Sequence, residues 1–328
     1  MSTASVVPLA ASHRERSGLH RYRREISVAA AYAFLLLVLA LIKPAGRPSF
    51  FQSQFADTFI SAAPLLVAAA GMTLVILARE IDISIGSQFS VAGVVAGLLL
   101  AAKMPAAIAV LGTLAAGALM GAINGALIGW MRLPSIVVTL ATMVILRGGL
   151  LWASQGAAVR LPPAFQWFGA SQQSGEWIII LVALLIFAVL SWGMRSIAAG
   201  RAVYAVGSDA EAARLAGIRP QRVVFSVFVL MGVLTAIAAL LNDVRFTIVY
   251  PNYGDGLELK VIAAVVVGGT AISGGRGTLA GTLIGVLLLA TIAPALVFLG
   301  APPQWEKALQ GLIILAAVAS DGLGRRRG

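Results

Sequence analysis

The sequence predicts an all-α polytopic membrane protein, and three observations carry that prediction. Of the 328 residues, 59% are hydrophobic and only 11% are charged, and the mean hydropathy is +0.94. A soluble chain of this length would need far more polar surface. Apolar runs of about 20 residues, the length that crosses a hydrocarbon core, recur from end to end. The 35 glycines supply the small surfaces over which membrane helices approach one another.

About ten stretches qualify as spans: residues 26–42, 58–78, 83–102, 106–131, 135–155, 177–194, 223–241, 258–273, 277–299 and 305–320. They divide the chain into a basic tail (1–25), a transmembrane domain (26–321) containing a polar loop at 195–222, and a second basic tail (322–328). The first run follows a basic segment, as a signal peptide would. No small-residue cleavage site follows cleanly, so it reads as a retained first helix.

Loop charges set the orientation. With the N-terminus inside, the inner segments collect most of the arginines: those of both tails, Arg79, Arg132, Arg276 and the group from Arg195 to Arg222. The outer segments hold fewer cations, namely Lys43, Arg47, Lys103, Arg160, Arg245, Lys260 and Lys307. This bias predicts both termini in the cytoplasm. It also accounts for the net charge of +11 without nucleic acid, because no basic stretch is interleaved with aromatics. There is no cysteine, and His13 and His20 both lie in the N-terminal tail. The membrane body therefore has no disulfide, no thiolate chemistry and no His or Cys to hold a metal.

The stretch AREIDISIGSQFSVAG (78–93) places Arg79, Glu80 and Asp82 between two apolar runs. At the inner end of the second span their cost is small where they reach interfacial water, and Arg79 can snorkel. Asp82 stands near the free N–H groups of the third helix. The segment reads either as a charged turn with a cap or as a helix break lining a path. ISIG (83–86) is echoed by ISGG (272–275), each between an inward-running and an outward-running span. Such matched positions predict broken helices near 80–87 and 272–278. Asp82, Ser84, Gly86, Ser273, Gly274 and Gly275 are the candidate path or gate residues there.

Three polar residues within spans join them. Arg147 has no acid within a turn and must face the bundle interior, water or carbonyls. Asn124 lies among small residues, where an interhelical hydrogen bond is expected. Thr139, like Thr142, can bond back to its own helix. Gly117, Gly121 and Gly125 recur every four residues and give α-helix 106–131 a smooth face. The glycine-rich run GGTAISGGRGTLAG (268–281) lacks the G-x-x-x-x-G-K-[ST] pattern and is not a phosphate loop.

The inner loop 195–222 contains a short helix, DAEAARLAG, which Ser208 or Asp209 can cap. Glu211 complements its dipole, Gly217 can end it and Pro220 stops its continuation. A short rigid helix there suits docking to a cytoplasmic partner, or serves as a solvated connector.

The loop resembles the E-A-A-x-x-x-G coupling motif of ABC importer permeases, with Glu211, Ala212, Ala213 and Gly217 at its positions and Arg214 among them. EIDISIGS (80–87), the 121–148 segment, the 200–218 segment, the 263–285 segment and QWEKALQGLIILAAVASD (304–321) together resemble the ribose-type sugar permeases of that superfamily. The family usually has glycines where this chain has Arg79 and Glu80; some members of the rhamnose and autoinducer-2 branches carry polar residues there. The resemblance implies about ten helices and a second permease copy or a paralogue. It also implies an extracytoplasmic sugar-binding protein and a two-domain ATPase inside. No cofactor would be bound directly, since ATP and magnesium are used by that ATPase. The expected function is a passive, gated conduit in the cytoplasmic membrane for a monosaccharide or related small polar solute. A proton- or sodium-coupled transporter would want acids at mid-membrane, whereas Asp82, Glu176, Asp243, Glu258 and Glu306 map to span ends. A nucleoside or amino-acid cargo in the same superfamily stays open.

Overall fold

The computed structural model describes residues 23–42, 48–302 and 304–325. The rest of the two basic tails, with both histidines, lies outside them; residues 23–25 already open the first helix and the last helix runs to Arg325. The described residues form thirteen α-helices: α1 (Arg23–Leu41), α2 (Phe50–Ser53), α3 (Phe55–Leu77), α4 (Ile85–Ala101), α5 (Ala106–Gly129), α6 (Ser135–Ser154), α7 (Gln172–Ser196), α8 (Ala198–Ser208), α9 (Ala210–Leu215), α10 (Pro220–Asp243), α11 (Leu257–Val267), α12 (Leu279–Leu299) and α13 (Trp305–Arg325).

Each predicted span has a helix in its place. Six of them, α3, α5, α6, α7, α10 and α12, are long and apolar enough to cross a membrane, and α1 and α4 contain shorter apolar helices. The eighth span departs most from expectation. The run predicted over 258–273 stops as helix at Val267, after 11 residues. Such a helix is about 16 Å long, roughly half a hydrocarbon core. Residues 268–278 are irregular, with Gly269, Gly274, Gly275 and Gly277 all at positive φ. That backbone is open to glycine and costly for other residues, so the glycines end a helix that hydropathy alone would extend.

The other break follows α3. Arg79 takes a left-handed conformation (φ 69°), and the Glu80 N–H donates to the Val75 carbonyl at 3.1 Å, closing a Schellman-type end. Glycine would adopt this backbone without strain. Residues 80–84 then run outside the helix until α4 begins at Ile85.

α3 is buried along almost its whole length and forms the centre of the bundle. It packs on α7, α10, α11 and α12, and Thr73 shares a 2.7 Å hydrogen bond with Thr282 of α12. The tightest seam joins α5 and α10, which run antiparallel. An added Cβ on Gly117 would strike the Gly232 carbonyl, and one on Gly121 the Phe228 carbonyl; Gly125 and Gly129 face Phe225 and Gln221 in turn. The predicted smooth face is therefore real and one step longer than expected. By contrast, α6 and α7 bury only a small part of their apolar surface; Val144, Ile145, Leu181 and Leu185 are exposed, as lipid-facing or subunit-facing side chains would be. A two-stranded ribbon pairs β1 (Val159–Arg160) with β2 (Ile248–Val249) beyond α6 and α10.

Candidate translocation path and coupling site

Asp82 does not reach interfacial water. It is fully buried, and the expectation that its cost is relieved by solvent is corrected. Protein donors replace the water. Its Oδ1 accepts from the Ser84 N–H at 2.9 Å and from the Ser84 hydroxyl, and its Oδ2 accepts from Gln88 Nε2 at 3.0 Å. Gln88 Nε2 also lies 2.7 Å from Ser84 Oγ, and Asn124 Nδ2 donates to that same Oγ at 2.9 Å. Asn124 Oδ1 accepts from the Thr142 hydroxyl at 2.7 Å. The predicted interhelical bond of Asn124 is thus two bonds, joining α4, α5 and α6. Thr139 bonds back to the Ser135 carbonyl at 2.8 Å, as expected, and also approaches the Ile81 carbonyl at 3.4 Å. Asp82, Ser84, Asn124 and Thr139 therefore meet around the first break. Gln88 was not anticipated; the signal was its spacing, four residues after Ser84 on the same helical face.

A second cluster forms on the other side of α4. Gly86 and Gly254 pack backbone to backbone, with no room for a Cβ on either, and the Gly254 N–H donates to Ser90 Oγ at 2.9 Å. This close approach brings the start of α11 against the start of α4. It also supplies the partners that Arg147 lacks locally: its Nη2 lies 2.9 Å from an Asp255 carboxylate oxygen and 4.0 Å from Glu258. Glu258 is buried at the edge of Gly86. Asp243 is also buried, against Gly93 and Val249, and neither of its oxygens has a hydrogen-bond partner among the described residues. Asp82, Asp243 and Glu258 are therefore not the solvent-reaching acids that their positions at span ends suggested.

Ser273, Gly274 and Gly275 gather elsewhere, at the second break. The Gly275 N–H donates to the Leu77 carbonyl at 3.0 Å, so the second break is bonded to the end of α3, where the first one starts. Gly207 of α8 is wedged against Leu77 and Gly275 with no space for a Cβ, and the Tyr204 hydroxyl donates to the Gly277 carbonyl at 3.0 Å. The last turns of α8 thus hold both breaks together.

α9 follows immediately. Asp209 is its cap, with one carboxylate oxygen accepting from the Glu211 and Ala212 N–H groups at 2.9 and 3.0 Å. Gly217 (φ 85°) ends it. Pro220 opens α10 at a position where no N–H is needed. Ala213 is buried, whereas Glu211, Ala212 and Arg214 are exposed. Leu215 is 78% exposed, an apolar knob that the motif did not single out. Glu211 is held by Arg214 at 3.0 Å. That hydrogen bond keeps the Glu211 carboxyl below its ordinary pKa. Glu211 and Arg214 line, with Arg79, Glu80 and Arg132, an open cavity of ≈ 800 Å³.

The family model described as "Branched-chain amino acid transport system / permease component" matches residues 54–318. The chain is 34% identical over 297 residues to the autoinducer 2 import system permease protein LsrC of Shigella flexneri, covering 88% of this chain and 86% of that one. It is 33% identical over 292 residues to the ribose import permease protein RbsC of Escherichia coli K12, covering 87% and 91%. No solved structure matches the chain. With its bundle of apolar helices and a family match from residue 54 to residue 318, the chain belongs to this family of transport-system permease components and is an integral, multi-pass protein of the inner membrane.

Proposed function

We propose that this chain is the membrane subunit of an ATP-driven importer for a monosaccharide or a related polyhydroxylated solute. A binding protein delivers the solute outside, a separate two-domain ATPase docks on α9 inside, and a second permease copy or a paralogue completes the conduit. Nucleotide and magnesium belong to the ATPase, and this chain binds neither. Ten crossings follow if α4 and α11 are completed by their irregular segments and α1 and α13 cross at the ends, with both termini inside. The placing of β1 and β2 together, and of both helix breaks together with α8, supports that alternation. The two relatives named above carry ribose and autoinducer 2 in their names, which favours a sugar-like cargo over an amino acid.

The observation that carries the mechanism is the junction of Leu77, Gly207 and Gly275. A displacement of α9 passes through α8 into both helix breaks at once. ATP binding and hydrolysis would supply the differential free energy between states, and the solute would follow. Asp82, Ser84, Asn124, Thr139 and Arg147 then flank a path on which a neutral solute exchanges one weak hydrogen bond for another.

α9 offers a direct test. Leu215→Glu puts a charge on an exposed knob and leaves the fold alone, while Glu211→Ala removes the paired carboxylate. Both variants are expected to fold as wild type and to lose most of the ATPase co-purification and ATP-dependent uptake. Normal values for both would remove α9 from the coupling role. The pH dependence has a definite sign. Because the folded-state pKa of Glu211 is lowered, the Glu211–Arg214 pair persists as pH falls and is lost only once the carboxyl finally protonates. ATPase association should therefore be flat between pH ~5.5 and ~8; a midpoint inside that window would contradict the assignment. Uptake by the chain alone in liposomes without ATP would replace this reading with the ion-coupled one, for which the buried acids would be the carriers.

A further inference from the structure

A second cavity, ≈ 350 Å³, opens where the ends of α7 and α10 meet α8. Its walls are apolar, formed by Leu190, Trp192, Ile197, Val203 and Leu230 among others, and Arg222 lines it as the one charged residue. Ser226, the other polar side chain on its wall, is already spent on the Arg222 carbonyl at 2.7 Å. The Arg222 side chain is exposed and has no ion-pair partner among the described residues. Arg195 in the last turn of α7 and Arg219 just ahead of α10 add positive charge at the same ends. Trp192 is 64% exposed, as aromatic residues are at a membrane interface.

We infer that this cavity is a binding site for an anionic phospholipid of the cytoplasmic leaflet, with an acyl chain between α7 and α10 and the phosphate on Arg222. The assignment rests on the proposed orientation, which puts α8 and α9 inside. Its chemistry is that of an amphiphile: the apolar walls give a free anion nothing to bind, and the arginine gives a neutral lipid no advantage. The cavity is too small for one turn of a helix ~10 Å across and takes part of a single, narrower acyl chain, the rest of which lies outside between α7 and α10. Basic pockets between membrane helices on the cytoplasmic side select anionic headgroups. The site borders α8, so its occupant would sit against the element that joins the coupling helix to both helix breaks.

The test uses the permease co-purified with its ATPase, stripped of loosely bound lipid and exposed in turn to phosphatidylglycerol, phosphatidylcholine and inorganic phosphate. Retained lipid per protomer is read by native mass spectrometry. Wild type should hold phosphatidylglycerol about fivefold better than phosphatidylcholine. Arg222→Gln should erase that preference, and Ala199→Phe, which fills the mouth from an exposed position, should lower retention of both lipids. Equal retention of the two lipids by wild type, or an unchanged preference in Arg222→Gln, overturns the proposal. So does displacement of phosphatidylglycerol by inorganic phosphate alone, which would mark a simple anion site. The ATPase in the same sample separates the two hypotheses: if it stays bound without selective lipid, the lipid site falls and the importer reading stands.

Discussion

Replacing Gly232 with leucine should abolish accumulation of folded protein. An added Cβ at 232 would fall on the Gly117 carbonyl and close to the Gly121 N–H, and both are backbone groups on the buried face of α5 that cannot turn aside. Relief requires α5 and α10 to separate along a seam that also includes Gly121 and Gly125. Overpacking of this kind, against backbone and not against the tip of a side chain, is expected to cost about 4 kcal/mol or more. Yield and monodispersity by fluorescence-detected size exclusion provide the measurement. Gly148→Leu on α6 is the matched control, since nothing lies within 4 Å of a Cβ there, and it should behave as wild type. Equal yields from the two variants would mean that the helices do not approach as closely as described.

The second large effect is expected at Asp82. Alanine there strands three buried donors: the Ser84 N–H, the Ser84 hydroxyl and one N–H of Gln88. Each unmet donor costs about 1–3 kcal/mol, so the variant should lose about 3 kcal/mol at least. Asparagine is a gentler change. Its oxygen can keep both Ser84 donors. Its amide faces Gln88, whose Oε1 has no partner, and a flip of the Gln88 amide would pair the two at the loss of the Gln88–Ser84 bond. Asp82→Asn should therefore cost about 1 kcal/mol. Thermal unfolding followed by tryptophan fluorescence should rank wild type above asparagine and asparagine well above alanine. Equal midpoints for the two variants would show that the donors are met by water. If asparagine keeps its midpoint but loses transport, the charge itself serves the path.

The features legible in the sequence were those written in local spacing. Glycines every four residues revealed the face of α5 because a helix turns in 3.6 residues. Asp209, Gly217 and Pro220 bounded α9 because caps and stops act on adjacent backbone. The matched breaks could be seen as a repeated pattern. The missed features were those that depend on distant segments. Hydropathy extended α11 to residue 273 because VGGTAIS is apolar, although Gly269 adopts a left-handed backbone just past the end of the helix. Arg147 looked unpaired because its acids arrive with α11, through a Gly86–Gly254 approach that no local pattern encodes. Asp82 looked solvated for the same reason: Gln88 encloses it from the first turn of α4, but Asn124 of α5 and Thr139 of α6 close around its neighbours Ser84 and Ile81.

The glycine seam also limits where this protein can bend. α5 and α10 lie backbone to backbone from Gly117 to Gly129 of α5 and from Gln221 to Gly232 of α10, with little side-chain layer there to slide or repack. They should travel as one beam. Only residues 216–219 separate α9 from one end of that beam, while β2 follows its other end, tied by strand pairing to the segment beyond α6. A force applied at α9 would be delivered across the bilayer as a tilt, with little lost to compression on the way. The ribbon of β1 and β2 would then be the first element on the far side to feel it. On the proposed orientation and coupling role of α9, opening at the ribbon end would be timed by the stiffness of the beam, and not by any signal relayed from one side chain to the next.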